Sequence, residues 1–174
     1  LYEWQLDTAT DAAIISNAPT SCTGMMVTEE RFVVCFGAGG DPRKIQWSDQ
    51  EDNTTWTAAT TNQAGDINIQ TNGKILAGLR TRGQSLILTD QDAHSMTYQG
   101  PPFVYGFERV GTSCGIIAAR AAASVDNGVF WMGRRGFFVY AGGRVQDVPC
   151  EVADYVFSDM NRDQSSKISC TVNS

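Results

Sequence analysis

From Arg31 to Val148 the chain is a series of short β-forming runs, each stopped by a tight polar or glycine turn, and this punctuation most narrows what it can fold into. The plainest stretch reads Val129-Phe130-Trp131-Met132, Gly133-Arg134-Arg135-Gly136, Phe137-Phe138-Val139-Tyr140, then Ala141-Gly142-Gly143-Arg144. That is strand, turn, strand, turn, and runs joined so tightly pair antiparallel. Several such meanders in series predict the blades of a β-propeller or a related sheet array, an architecture that usually binds or builds.

Three meanders are legible. In the first, Arg31 to Phe36 forms an apolar strand broken by Gly37-Ala38-Gly39-Gly40-Asp41-Pro42. Lys44-Ile45-Gln46-Trp47-Ser48 then alternates, with Ile45 and Trp47 on a dry face and Lys44 and Gln46 on a wet one. The second has strands at Ile75 to Arg80, Ser85 to Thr89, His94 to Tyr98 and Phe103 to Val110, about the four that a blade requires. The third starts near Ala118 and runs to Val148, and its Trp131 follows the matching Leu88 of the second by 43 residues, a propeller-like period.

The predicted fold class is therefore all-β: antiparallel four-stranded meanders, β-propeller-like. Residues 1–30 read as the end of a preceding blade or a linking segment, and residues 31–148 as propeller-like blades. Residues 149–174 read as a short helix or loop and the start of a next strand. The helix candidate is Glu151 to Met160, where Val152, Tyr155, Val156 and Met160 share a face. Leu1 to Leu6 and Lys167 to Val172 read as strands that begin or stop without a leader or tail, and three meanders do not close a usual propeller. The expectation is a piece of a longer protein.

With 174 residues the chain can bury a real core in one domain. No run approaches the roughly 18–20 apolar residues of a membrane span. The net charge of -6 is unevenly spread: residues 1–73 hold 3 basic and 10 acidic side chains, residues 74–149 hold 8 and 5. An acidic balance argues against tight nucleic-acid binding, which needs clustered Lys and Arg, yet it suits a surface past which DNA slides without sticking. Cys22, Cys35, Cys114, Cys150 and Cys170 are widely spaced, odd in number and without a C-x-x-C pair, so buried free thiols and a reducing cytoplasm are expected.

Catalytic chemistry finds few footholds. His94 is the sole histidine, and its nearest acidic neighbours in sequence, Asp90 and Asp92, are ordinary turn formers. No second His and no paired Cys support zinc, and no G-x-S-x-G elbow is present. No cofactor is expected. Asp90 with Asp92, or Asp49, Glu51 and Asp52, are oxygen-ligand clusters without regular calcium-loop spacing, and read as solvated turns. Arg134 and Arg135, between two glycines at a hairpin tip, are a candidate partner-contact turn. Between Trp47 and Trp56, the pattern Asp49-x-Glu51-x-Asn53-x-Thr55-Trp56 is similar to the Asp-box turn of sialidase-like propellers, in which an acid ties a hairpin and the aromatic plugs the core. The match is degenerate, and such a turn supports a fold without conferring activity.

The order of phrases carries a wider likeness. Ile45-Gln46-Trp47-Ser48 through Thr54-Thr55-Trp56, Gly78-Leu79-Arg80, Leu86 to Asp90 and Phe107-Glu108-Arg109-Val110-Gly111 come in that order. Gly115 to Arg120, Val129 to Gly133, Arg135 to Tyr140 and Val156 to Asn161 follow. Over most of residues 31–172 this resembles the tail nozzle or tail hub (tail tubular) proteins of tailed bacteriophages. The resemblance implies a virion structural protein, not an enzyme, that assembles in the host cytoplasm into a homo-oligomeric ring, commonly a hexamer. It implies portal or adaptor and tail fibre or spike proteins as partners, and genome DNA passing through the lumen without tight binding. The alternative is a glycan-binding or sialidase-like propeller, with Trp4, Trp56 and Tyr98 as exposed aromatics and Arg80, Arg109 and Arg120 as a carboxylate-binding cluster.

Overall fold

The computed structural model describes residues 1–172, so the last two residues of the expected 149–174 segment lie outside the described residues. A short hairpin of β1 (Tyr2–Glu3) and β2 (Ala13–Ile14) comes first. Three antiparallel four-stranded sheets follow. The first holds β3 (Gly24–Val27), β4 (Val33–Phe36), β5 (Lys44–Trp47) and β6 (Gly65–Asn68). The second holds β7 (Ile75–Thr81), β8 (Gln84–Thr89), β9 (Asp92–Gly100) and β10 (Val104–Thr112). The third holds β11 (Ala122–Val125), β12 (Gly128–Met132), β13 (Phe137–Ala141) and β14 (Arg144–Val148). Every strand pairs with its neighbour in the chain, so each sheet is a pure meander, and the all-β, propeller-like class read from the sequence is the class observed.

The chain divides into two compact units, Leu1–Ile69 and Gln70–Ser174, a boundary inside the 31–148 stretch. In the first unit, the first sheet begins at β3, within the segment read as a link over residues 1–30. The correction has a simple cause: Gly24-Met25-Met26-Val27 alternates half-buried with exposed residues, a pattern too short and too weakly apolar to stand out, and it pairs with β4 once Thr28 and Phe32 close the turn through a 3.0 Å backbone bond. Arg31, expected to open the next strand, instead sits in the turn with φ of 69°. The sheet's fourth strand, β6, lies beyond a long loop from Ser48 to Ala64 and had no distinct apolar signal, since only Gly65 of its four residues is buried. Trp47 packs against Gly65, where a Cβ would come within 2.6 Å of the indole.

In the second unit the core lies between the second and third sheets. Leu86, Leu88 and Ala93 from one side meet Val129, Trp131 and Tyr140 from the other, with Cys114, Ile116, Ala118 and Ala121 of the connecting segment filling the space between. Leu88 and Trp131, spaced one period apart in sequence, thus meet in one core. Each large side chain so buried contributes roughly 1.5–3 kcal/mol. Two polar contacts register the sheets: Gln84 Nε2 donates to Tyr140 Oη at 2.7 Å, and Ser124 Oγ to the Arg80 carbonyl at 2.9 Å.

The last segment differs from expectation in two respects. The helix forms as α1 (Ala153–Asp159), but Val152 and Tyr155 of the expected apolar face are exposed. Phe157, outside that set, packs on Phe137 at 5.4 Å between ring centroids. Lys167 to Val172 forms no strand. Arg162–Lys167 is a 3-10 helix capped by the Asn161 side chain, and beyond it the Cys170 amide donates to the Arg120 carbonyl. Lys167 is taken into that helix because the Asn161 cap and the Asp163 that follows it start a turn where alternation alone had suggested extension.

Candidate functional site

The turn between β5 and β6 is built by short-range hydrogen bonds. Asp49 Oδ1 accepts from the amides of Gln50 and Gln63 at 2.9 and 2.8 Å, and the Asp49 amide donates to the Thr55 carbonyl at 2.8 Å. Asp52 is the acid that ties the hairpin tip. Its Oδ1 accepts from the Thr54 amide at 2.8 Å and the Thr54 hydroxyl at 2.6 Å, and its Oδ2 from the Thr55 hydroxyl at 2.7 Å. These donors hold its carboxyl down at about 2. Trp56 is only 2% exposed and donates its indole N–H to the Asn53 carbonyl at 2.6 Å. Gln46 Nε2 bonds the Trp56 carbonyl at 3.1 Å and so fixes the plug to β5.

Within the Asp-box-like set, the structure brings Asp49, Thr55 and Trp56 together and places Glu51 elsewhere. Glu51, with φ of 58°, faces solvent and pairs with Arg31. Asn53 contributes its carbonyl to Trp56, while its side-chain amide donates to Glu3 at 2.5 Å. The tying acid is one residue further along than the spacing suggested, because the turn closes through side-chain hydroxyls of the Thr54-Thr55 pair and needs a carboxylate two and three residues before them. The turn is a structural clasp: its acids are committed to internal donors.

Arg134 and Arg135 sit at the tip between β12 and β13, closed by a 2.8 Å bond from the Gly133 amide to the Gly136 carbonyl. They border a cleft of about 670 Å³ together with Arg109 of β10, Ser113, Asn72 and the Asp90–Asp92 turn. Sequence reading missed the union of Arg109 with this pair, since 25 residues and two turns separate them and no local pattern links such positions. Arg80 and Arg120, imagined with Arg109 as one cluster, are not among the residues lining the cleft.

Asp90 sits in the turn between β8 and β9, but Asp92, read as part of a solvated turn, is buried as the first residue of β9 because threonine hydroxyls satisfy its carboxylate. Asp90 Oδ1 accepts from the Lys74 amide at 2.8 Å, and Asp92 Oδ1 accepts from the hydroxyls of Thr71 and Thr89 at 2.8 and 2.5 Å. His94 is 3% exposed. Its Nε2 lies 3.2 Å from Asp92 Oδ1 but off the direction of a hydrogen bond, which leaves it without a hydrogen-bond partner. Among the described residues no cluster of His, Cys, Asp and Glu is arranged to hold a metal ion.

Of the exposed-aromatic set, Trp56 is buried, Tyr98 packs edge-on against Tyr105, and Trp4 donates to the Asp7 and Thr10 carbonyls. The cysteines are free, but only Cys35 and Cys114 are buried; Cys22 and Cys170 are exposed because they flank the sheets in irregular segments. Burial pushes the Cys35 thiol up to about 12, with Cys22 beside it adding to the rise, and the Cys114 thiol up to about 11, so both are poor nucleophiles. Among the described residues no helix is long and apolar enough to cross a membrane.

Three sheets of four consecutive antiparallel strands, the second and third packed around one core, define a β-propeller-like protein. Among solved structures the chain is similar to the AfRom2 CNH domain, a domain of β-propeller type, with a TM-score of 0.54 and 12% sequence identity over 91% of this chain. The chain spans about half of that structure, 51% of its length. No family model matches the chain, and no curated protein matches it.

Proposed function

We propose that this chain is part of a structural virion protein of the bacteriophage tail, a nozzle or hub component that forms part of the genome-ejection channel, offers a platform for tail attachments, and makes or breaks no bonds. The ordered resemblance to tail nozzle proteins carries the reading. Its phrases fall on framework: Ile45 to Trp47 on β5, Leu86 to Thr89 on β8, Val129 to Met132 on β12 and Phe137 to Tyr140 on β13. A likeness carried by strands and turns is what a building element would keep.

In this reading the protein works by assembly. Copies form a ring, a hexamer by the resemblance, between portal or adaptor and fibre or spike proteins, inside a virion assembled in the host cytoplasm. The acidic balance suits a conduit, because a wall of like charge does not hold a sliding phosphate backbone. Negative-stain microscopy of the purified protein tests it: ring-shaped particles with a central opening, and no turnover of sialosides or other glycosides, are expected. A monomer that hydrolyses such substrates overturns it.

A further inference from the structure

We propose that the cleft bordered by Arg109, Arg134 and Arg135 is a binding site for an extended phosphate ligand, a polyphosphate or the phosphates of a nucleic-acid strand. Three observations carry this. First, among the described residues none of the three guanidinium groups has a hydrogen bond or an ion-pair partner, although the chain as a whole is acidic. Second, the acids that line the same cleft are already engaged: Asp90 holds the Lys74 amide, and Asp92 holds the Thr71 and Thr89 hydroxyls. The three guanidinium groups outnumber the two carboxylates of the cleft, and the Ser113 and Thr112 hydroxyls and the Asn72 amide add further donors beside the arginines.

Third, the frame around the cleft is pinned. Gly115 lies so close to the Asp90–Gln91 turn that a Cβ would come within 2.1–2.3 Å of its backbone. The next residue, Ile116, donates to the Thr89 carbonyl at 2.9 Å and bridges to Gly133, while the Ile117 amide donates to the Met132 carbonyl at 3.0 Å. The segments that carry Ser113, Asp90 and the Arg134-Arg135 tip are thereby held in one arrangement, and only the arginine side chains remain to be ordered on binding. Guanidinium forks match phosphate oxygens in pairs, and a volume of about 670 Å³ exceeds what a single phosphate fills. This site stands independently of the tail reading.

The test is titration of the whole chain with inorganic tripolyphosphate and with a labelled oligothymidylate at low salt, beside two triple variants of equal charge. Arg109→Gln/Arg134→Gln/Arg135→Gln removes the cleft arginines; Arg82→Gln/Arg120→Gln/Arg144→Gln removes the same charge from elsewhere in the second unit. The cleft variant is expected to lose about tenfold or more in affinity and the control to stay within about threefold. Arg134→Lys/Arg135→Lys, which keeps charge but not the fork, should lose an intermediate amount. Displacement of tripolyphosphate by the oligonucleotide assigns the phosphates to a nucleic acid, and binding of tripolyphosphate alone assigns them to a small ligand. Absence of binding, equal losses in both triple variants, or tighter binding of polyglutamate than of either phosphate probe overturns the proposal.

Discussion

At Asp52 one carboxylate accepts from the Thr54 amide, the Thr54 hydroxyl and the Thr55 hydroxyl, and so folds the tip that carries Trp56 into the sheet. Replacing it by Asn removes the charge that strengthens these bonds and should cost about 1–2 kcal/mol, read by thermal or urea unfolding. A carboxyl held down at about 2 contributes stability that is present above its ordinary value of 3.8 and is lost as pH falls towards 2. The gap in midpoint between wild type and Asp52→Asn should therefore stay level near neutrality and close across that acid window. Trp56→Ala leaves a large void and should cost about 3–5 kcal/mol, whereas Glu51→Gln, which touches only an exposed ion pair with Arg31, should stay within about 0.5 kcal/mol. Sequence offered Trp56 both as a core plug and as an exposed aromatic, and its burial at 2% exposure decides for the plug. Sequence did not single out Asp52 over Glu51, because neighbouring acids look alike until hydroxyl donors choose between them.

The turns that separate strands were legible wherever glycine or proline marks them, which is why β7, β8, β12, β13 and β14 fall where the pattern put them. The strands β3 and β6 were not legible: they are edge strands of their sheet with alternate or mostly exposed residues, and pairing with β4 and β5 defines them more than their own composition. The connection after β10 holds its place by backbone proximity, and Gly115→Ala should drive a methyl into the Asp90 carbonyl and cost several kcal/mol, measured by denaturant unfolding. Tyr140→Phe removes only the hydroxyl that Gln84 reaches across the two sheets, and should cost about 1 kcal/mol with the fold retained.

Across the whole molecule, the repeated meander was legible because a period of strands and turns survives the loss of any one signal. The cleft was not, since Arg109 reaches it from one sheet and Arg134 and Arg135 from the next. The second unit carries its own core, so residues 70–174 produced alone should keep a cooperative unfolding transition and a Trp131 fluorescence that shifts to the red only through it. The strand order has a last consequence. Because within each sheet every strand after the first hydrogen-bonds to the one made just before it, no strand waits for a partner from a distant part of the chain. Each meander can close as it leaves the ribosome, its loop-closure cost confined to short connections except at the Ser48–Ala64 loop of the first sheet, and the growing chain never has to hold an unpaired interior strand in reserve.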